Sequence, residues 1–349
     1  MPSRNHESAP AAEGAQPWRW LLGLAAVLAL AASVVLAASF GEMPIAPLTS
    51  LQAIANGLGL GPYPVERIVQ GIVWEYRLSR ALVAACCGAG LAVSGAILQA
   101  LLRNALAEPY VLGLSAGAST GAVLVMLLGV GGGVLGVSLG AFLGAVLAFA
   151  VVLPFLGSGG STRIILAGVA ASQLFNALTA YIVATAANAE QARSVMFWLL
   201  GSLAGVRWPD VWLAAGVVLA GLLVCLACAR ALDAFAFGED AAASLGVAVG
   251  PLRLLLLAVT GLITACLVSL VGAVGFVGLV IPHVARFLVG PGHGRLLPTC
   301  ALIGALFMVL ADIVARTLVA KQTLPIGVVT ALVGAPAFAF ILYRAREVR

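Results

Sequence analysis

Residues 81–127 read ALVAACCGAGLAVSGAILQALLRNALAEPYVLGLSAGASTGAVLVML. Two apolar runs are separated by a short stretch holding Arg103, Asn104, Glu108 and Pro109. The first run, Leu82–Leu102, carries no charge and reaches the roughly 20 residues that cross a bilayer as a helix. Leu21–Phe40 and Val211–Ala229 have the same character. The chain as a whole is 62% hydrophobic and 9% charged over 349 residues, with a mean hydropathy of +1.14. A soluble domain of this length cannot bury that much apolar surface, so the composition defines a membrane protein. Strict alternation of apolar and polar residues is absent, which argues against an outer-membrane barrel and for an all-α, polytopic fold.

The amino-terminal segment places Arg4 and Arg19 ahead of an apolar run from Leu21 to Ala38. The apolar core of a secretory signal is only about 7–15 residues long, so this run reads as an uncleaved first span. Residues 1–17, polar and rich in Ala and Pro, are expected to form a disordered cytoplasmic tail ahead of a single domain over residues 18–349. Charges and helix breakers divide that domain into ten candidate spans, near 19–40, 80–102, 112–130, 134–156, 163–186, 209–231, 251–270, 274–290, 296–318 and 324–343. An even number puts both termini on one side. If that side is the cytoplasm, 11 of the 18 basic residues lie inside and seven outside. That bias agrees with the positive-inside rule. It also accounts for a pI near 9.1 without a nucleic-acid partner. The outer cations Arg67, Arg77, Arg80, Arg193, Arg207, Arg316 and Lys321 are the exceptions that need a reason.

Glycine is abundant, with 41 residues, and small residues recur four apart, as in Gly88 with Ala92 and Gly140 with Gly144. In lipid this spacing lets helix backbones approach closely, which predicts a tight bundle and says nothing of a substrate. All six cysteines sit within or at the ends of apolar spans; Cys225 and Cys228 form a C-x-x-C, but no second pair or histidine stands at zinc spacing. No metal site and no covalently bound cofactor is expected. Zinc-protease motifs are lacking, and the only lysine, Lys321, is not in a P-loop. The chain is therefore not read as an enzyme. If it pumps, a partner subunit or an ion gradient must supply the energy.

Three polar features carry information. Between spans six and seven, within residues 232–250, Gly238, Glu239 and Asp240 open an Ala-rich stretch that closes on Gly246. Acidic residues in a first turn and a terminal glycine predict a short helix over about Glu239–Leu245, either a docking element or a solvated connector. Asp312 and Arg316 stand four apart inside an apolar run, where charge calls for pairing or water. WEYRLSR clusters Glu75, Arg77 and Arg80 at the mouth of span two, where a solvated helix end would serve equally well.

At this point the residues match a family. RLSRALVAACCGAGLAVSGAILQALLRNALAEPYVLGLSAGAS, FWLLGSLAGVRWPDV, FGEDAAASLGV, GAVGFVGLVIPHVARFLVGPGHGRLLP, LADIVARTL and LPIGVVTALVGAPAFAFIL resemble, in order, the signature blocks of FecCD-type permeases. These are the membrane subunits of type II ABC importers for iron-siderophore chelates, haem and vitamin B12. One departure is Ala105, where the family usually has Pro after Asn.

The resemblance implies a homodimer with the translocation path between two copies, two ATP-binding subunits that use ATP and Mg, and a periplasmic binding protein, in a bacterial inner membrane with both termini cytoplasmic. It maps ATPase coupling to Gly238, Glu239, Asp240, Ala241, Ser244, Leu245 and Gly246, and binding-protein docking to Arg77, Arg80 and Arg316. Outward arginines thereby gain a reason, as partners for glutamates on the binding protein. Polar or small residues offered for the path are Ser94, Gln99, Ser115, Asn176 and Thr179, each of which could equally be an interhelical hydrogen bond. The expected cargo is an iron chelate, haem or ferric siderophore, with cobalamin as the alternative. A gradient-driven secondary transporter is the rival from another class. It would be expected to place charge at the midplane, where Asp312 is the only acid inside a span.

Overall fold

In a computed structural model the chain is described over residues 17–41, 43–128, 134–155, 161–319 and 322–347. The expected tail, apart from Pro17, and Lys321 lie outside those residues. Fifteen α-helices follow one another among the described residues. Ten coincide with the candidate spans: α1 (Pro17–Ser39), α4 (Ser79–Leu101), α5 (Leu114–Leu128), α6 (Val134–Val152), α7 (Ser161–Ala186), α9 (Trp208–Ala227), α12 (Val249–Val271), α13 (Val277–Val289), α14 (His293–Thr317) and α15 (Ile326–Glu347). The other five are short: α2 (Pro47–Gly57), α3 (Arg67–Gly71), α8 (Ala189–Leu199), α10 (Ala229–Phe235) and α11 (Glu239–Ser244).

Among the described residues, six helical segments are long and apolar enough to cross a membrane, and their burial separates centre from periphery. Span two is the axis, with 83% of its apolar window buried against 28% in α6, α7 and α9. It packs on α14, α9, α13 and α12. Its glycines explain why. Gly88 lies against the backbone of Gly304 and Gly95 against that of Gly278, so a Cβ at either position would collide with a carbonyl. The same close approach joins α5 to α6, through Gly117 against Gly144 and Gly121 against Gly140. Both four-apart glycine patterns thus mark helix crossings.

Span two begins earlier than hydropathy suggests. Helix runs without a break from Arg67 to Leu101, 35 residues, with a π-helical stretch at Ile72–Leu78. Glu75, Arg77 and Arg80 therefore sit within a helix instead of at its frayed mouth. The helix need not end at these charges because Arg77 and Arg80 find partners there.

Two spans are short. α5 and α13, at about 1.5 Å per residue, are only about 20 Å long against roughly 30 Å of hydrocarbon. Each is preceded by irregular chain that lies inside the protein. After α4 the chain turns at Arg103 (φ 48°), then runs back through buried Ala107 and Pro109 into a 3₁₀ turn, Pro109–Leu112. Pro109 reaches Gly278, the second residue of α13. There the Tyr110 hydroxyl donates to the Val274 carbonyl (2.9 Å) and accepts from its N–H (2.8 Å). Irregular backbone at this depth is tolerable because protein groups satisfy it.

Candidate functional site

The molecule has two polar ends. Trp74 stacks on Trp208 at the start of α9, 4.6 Å between centroids, so α9 begins at the end that also holds α2 and α3. It finishes at the opposite end, where α10 and α11 follow.

At the α11 end, the expected short helix is present over Glu239–Ser244, one residue shorter than the sequence suggests. Gly238 (φ 106°) and Gly246 (φ 85°) adopt left-handed-side backbone that a side chain would strain, so both bounds of the segment are built into the sequence. Ala242 is buried beneath it, while Asp240, Ser244 and Leu245 face out. Glu239 turns inward and forms an ion pair with Arg253 on α12. Of the two acids that open α11, one anchors the segment and the other is free for a partner.

At the α2 end, charge is buried. The Asp312 carboxylate is fully inaccessible and accepts from Arg80 Nε at 2.8 Å through Oδ1, with Arg316 Nε 3.0 Å from Oδ2. Arg316 also donates to the carbonyls of Phe40 (2.8 Å) and Ala37 (2.9 Å). Arg77 donates to those of Ala38 (3.2 Å), Ser39 (2.8 Å) and Met43 (2.6 Å). The last turn of a helix leaves carbonyls without helical partners. Here two guanidinium groups, presenting several donors in a fixed plane, cap the carboxyl end of α1. Arg80 and Asp312, 232 positions apart, tie the centre of span two to α14.

The three arginines offered for docking are thus gathered at one end, with their side chains engaged inside the protein. Among the described residues, the cations that face out there are Arg67, Arg193 and Arg207. Arg207 lies 4.5 Å above the ring of Tyr76, which is itself exposed. The sequence signal for this contact is Trp208 beside Arg207 in VRWP; nothing comparable stands beside Arg67 or Arg193, and composition does not tell which cation turns inward.

The five path candidates are dispersed. Gln99 is buried, donates to the carbonyls of Gly278 and Leu279, and accepts from Arg286 at 2.6 Å. Ser94 is fully buried and its hydroxyl has no partner. Thr179 meets Thr120 at 2.8 Å between α7 and α5. Ser115 is half-buried and Asn176 faces out from α7. Of these, Gln99 alone lines a described cavity. Within the loop after α4, burial pushes the Glu108 carboxyl above its ordinary range, opposed by a hydrogen bond with the Phe276 backbone.

Comparison with known proteins bears on this arrangement. The model of the FecCD transport family matches residues 28–344. The chain belongs to that family. The FecCD-family chain is 40% identical over 311 residues to a protein of Halobacterium salinarum named as a cobalamin import system permease, covering 88% of this chain and 82% of that one. Against a vitamin B12 import system permease of Shigella boydii it is 40% identical over 331 residues, 94% and 96% of the two chains. Among solved structures, it superposes on a metal-chelate type ABC transporter in an inward-facing conformation with a TM-score of 0.83 at 32% identity, covering 94% of this chain and 100% of the other. This FecCD-family protein is an ABC importer permease with the type II permease fold, a transport subunit that spans the membrane.

Proposed function

We propose that two copies of this permease enclose a translocation path in a bacterial inner membrane, with both termini and α11 in the cytoplasm. ATP-binding subunits dock on Gly238–Gly246, and a periplasmic binding protein docks at the α2 end. ATP binding and hydrolysis in the partners then rock the dimer between outward and inward states, while the permease supplies a passage and gates. The observation that carries this reading is the short glycine-bounded helix α11, joined to the bundle by one ion pair, at the end opposite the arginine network. Asp312, the acid that a gradient-driven transporter would be expected to use, is held by two arginines, which supports the ATP-driven reading over that rival. Arg77, Arg80 and Arg316 keep their proposed docking role, with Arg67 and Arg207 as the cations met first. Ser94, Gln99, Ser115, Asn176 and Thr179 remain the residues proposed for the path.

The cargo we propose is cobalamin. The 40% identity to permeases named for its import supports this. An iron chelate, haem or a ferric siderophore, is the second reading, supported by the likeness to a metal-chelate type transporter. Reconstitution in liposomes with the cognate ATPase and binding protein tests both. Uptake of cobalamin that requires ATP is the expected outcome, and ATP-dependent uptake of a ferric chelate alone would replace the cargo. Uptake that persists without ATP and follows an imposed ion gradient would overturn the importer reading altogether.

A further inference from the structure

A cavity of about 470 Å³ lies behind α10, between the carboxyl end of α4, α10 with the two residues that follow it, and the end of α13 with the turn that joins it to α14. Its charge is unbalanced. Arg286 is satisfied by Gln99, a neutral group. Arg103, held at φ 48°, extends its guanidinium to within 3.8 Å of where a Cβ on Gly238 would sit. No carboxylate among the described residues forms an ion pair with either arginine. The one acid in the wall, Asp233, is turned to His293, whose backbone N–H and ring Nδ1 both meet its Oδ1 at 2.8 and 2.6 Å. Two guanidinium groups therefore face one cavity whose single lining carboxylate, among the described residues, is turned to His293.

Most of the rest of the wall is apolar and includes Phe237 (80% exposed), and next in sequence to Arg286 come Phe287 (91%) and Leu288 (61%). Phe287 is the residue after Arg286. A cation and a bare aromatic at successive positions on the last turn of a membrane helix mark the level where headgroups meet acyl chains. Planar guanidinium pairs fit phosphate oxygens, and basic pockets between helix ends take lipid headgroups.

We propose that this cavity binds the phosphate of an anionic phospholipid, with Arg103 and Arg286 on the headgroup and Phe237 and Phe287 against the acyl chains. The lipid would then lie as a wedge between α10 and the bundle. Which leaflet supplies it rests on the orientation proposed above; the binding itself does not.

Native mass spectrometry of the delipidated full-length protein tests the site, with phosphatidylglycerol as ligand, phosphatidylcholine of the same chains as control and inorganic phosphate as competitor. Phosphatidylglycerol is expected to bind more tightly than phosphatidylcholine. Arg103→Asn keeps a residue that tolerates positive φ and removes the charge; it is expected to weaken phosphatidylglycerol about fivefold and to leave phosphatidylcholine unchanged. Ala236→Leu, which narrows the cavity and keeps both cations, should weaken phosphatidylglycerol in the same direction. Equal binding of the two lipids, or a preference that survives both substitutions, overturns the proposal. Displacement of the lipid by millimolar inorganic phosphate would reassign the cavity to a free anion. Loss of the co-purifying ATPase in Arg103→Asn with lipid binding unchanged would reassign it to a protein contact.

Discussion

The two polar ends of this permease solve opposite problems with the same residue types. At the α2 end an arginine network is sunk into the protein: Asp312 is inaccessible, Arg80 and Arg316 close on it, and Arg316 and Arg77 cap α1 through the four carbonyls of Ala37–Phe40, with Arg77 also reaching that of Met43 beyond it. At the α11 end one ion pair, between partly exposed Glu239 and buried Arg253, holds a six-residue helix to α12. Buried ionic groups are costly to separate, because each partner left behind is an uncompensated charge. Exposed pairs contribute little and come apart readily. One end is a clamp that fixes α1, span two and α14 together, and the other is a segment that can shift with a partner.

The largest effect is expected from Asp312→Ala, which strands two guanidinium groups in the clamp. Loss of one member of a buried pair costs about 3–5 kcal/mol. Thermal unfolding followed by loss of the monodisperse species in detergent should register a large drop, and an unchanged midpoint would mean that water or lipid reaches this carboxylate. Asp312→Asn, which can keep one hydrogen bond, should fall between that variant and the native protein.

A smaller loss is expected from Tyr110→Phe. The hydroxyl satisfies both backbone groups of Val274 in the chain leading into α13, and leaving buried polar groups unpaired costs about 1–3 kcal/mol. The same heating experiment should rank this variant between Asp312→Ala and any substitution on α11. A variant as stable as the native protein would indicate that the two irregular stretches are held by packing alone.

Much of the architecture was legible because it is written in apolar runs. Ten runs became ten helices, and the acidic opening and closing glycine of α11 located that helix to within one residue. Helices α2, α3 and α8 were not legible, since each is short and lies between spans where hydropathy falls. α8 owes its start to a local device, the reciprocal capping of Asn188 and Gln191. The inward turn of Arg77 and Arg80 was hidden for a different reason. Hydropathy counts a charge as a boundary, whereas the fold accommodates it by bringing in Asp312 from more than two hundred residues away and carbonyls from the end of α1. The chain between Arg103 and Gly113 reads as an ordinary turn between spans. Only the partnership of Tyr110 with Val274 reveals that it re-enters the bundle.

The smallest stability effect, and the sharpest test of the contrast, lies within α11 itself. Glu239 and Asp240 are adjacent acids that a sequence treats alike, yet one is tied to Arg253 and the other faces out. Asp240→Arg breaks no internal contact, so unfolding should move by no more than about 0.5 kcal/mol. Transport-coupled ATP turnover should nevertheless fall, because the substitution reverses charge on the surface proposed to meet the ATPase. Glu239→Gln should do the converse in part: it loosens the anchor, costs less than Asp312→Ala because Glu239 is partly exposed and the amide can still accept from Arg253, and leaves the outward surface intact. If turnover falls for Glu239→Gln and not for Asp240→Arg, the position of the segment matters and its outward charge does not, and the contact with the ATPase is then carried by its apolar residues, with Leu245 the most exposed of them.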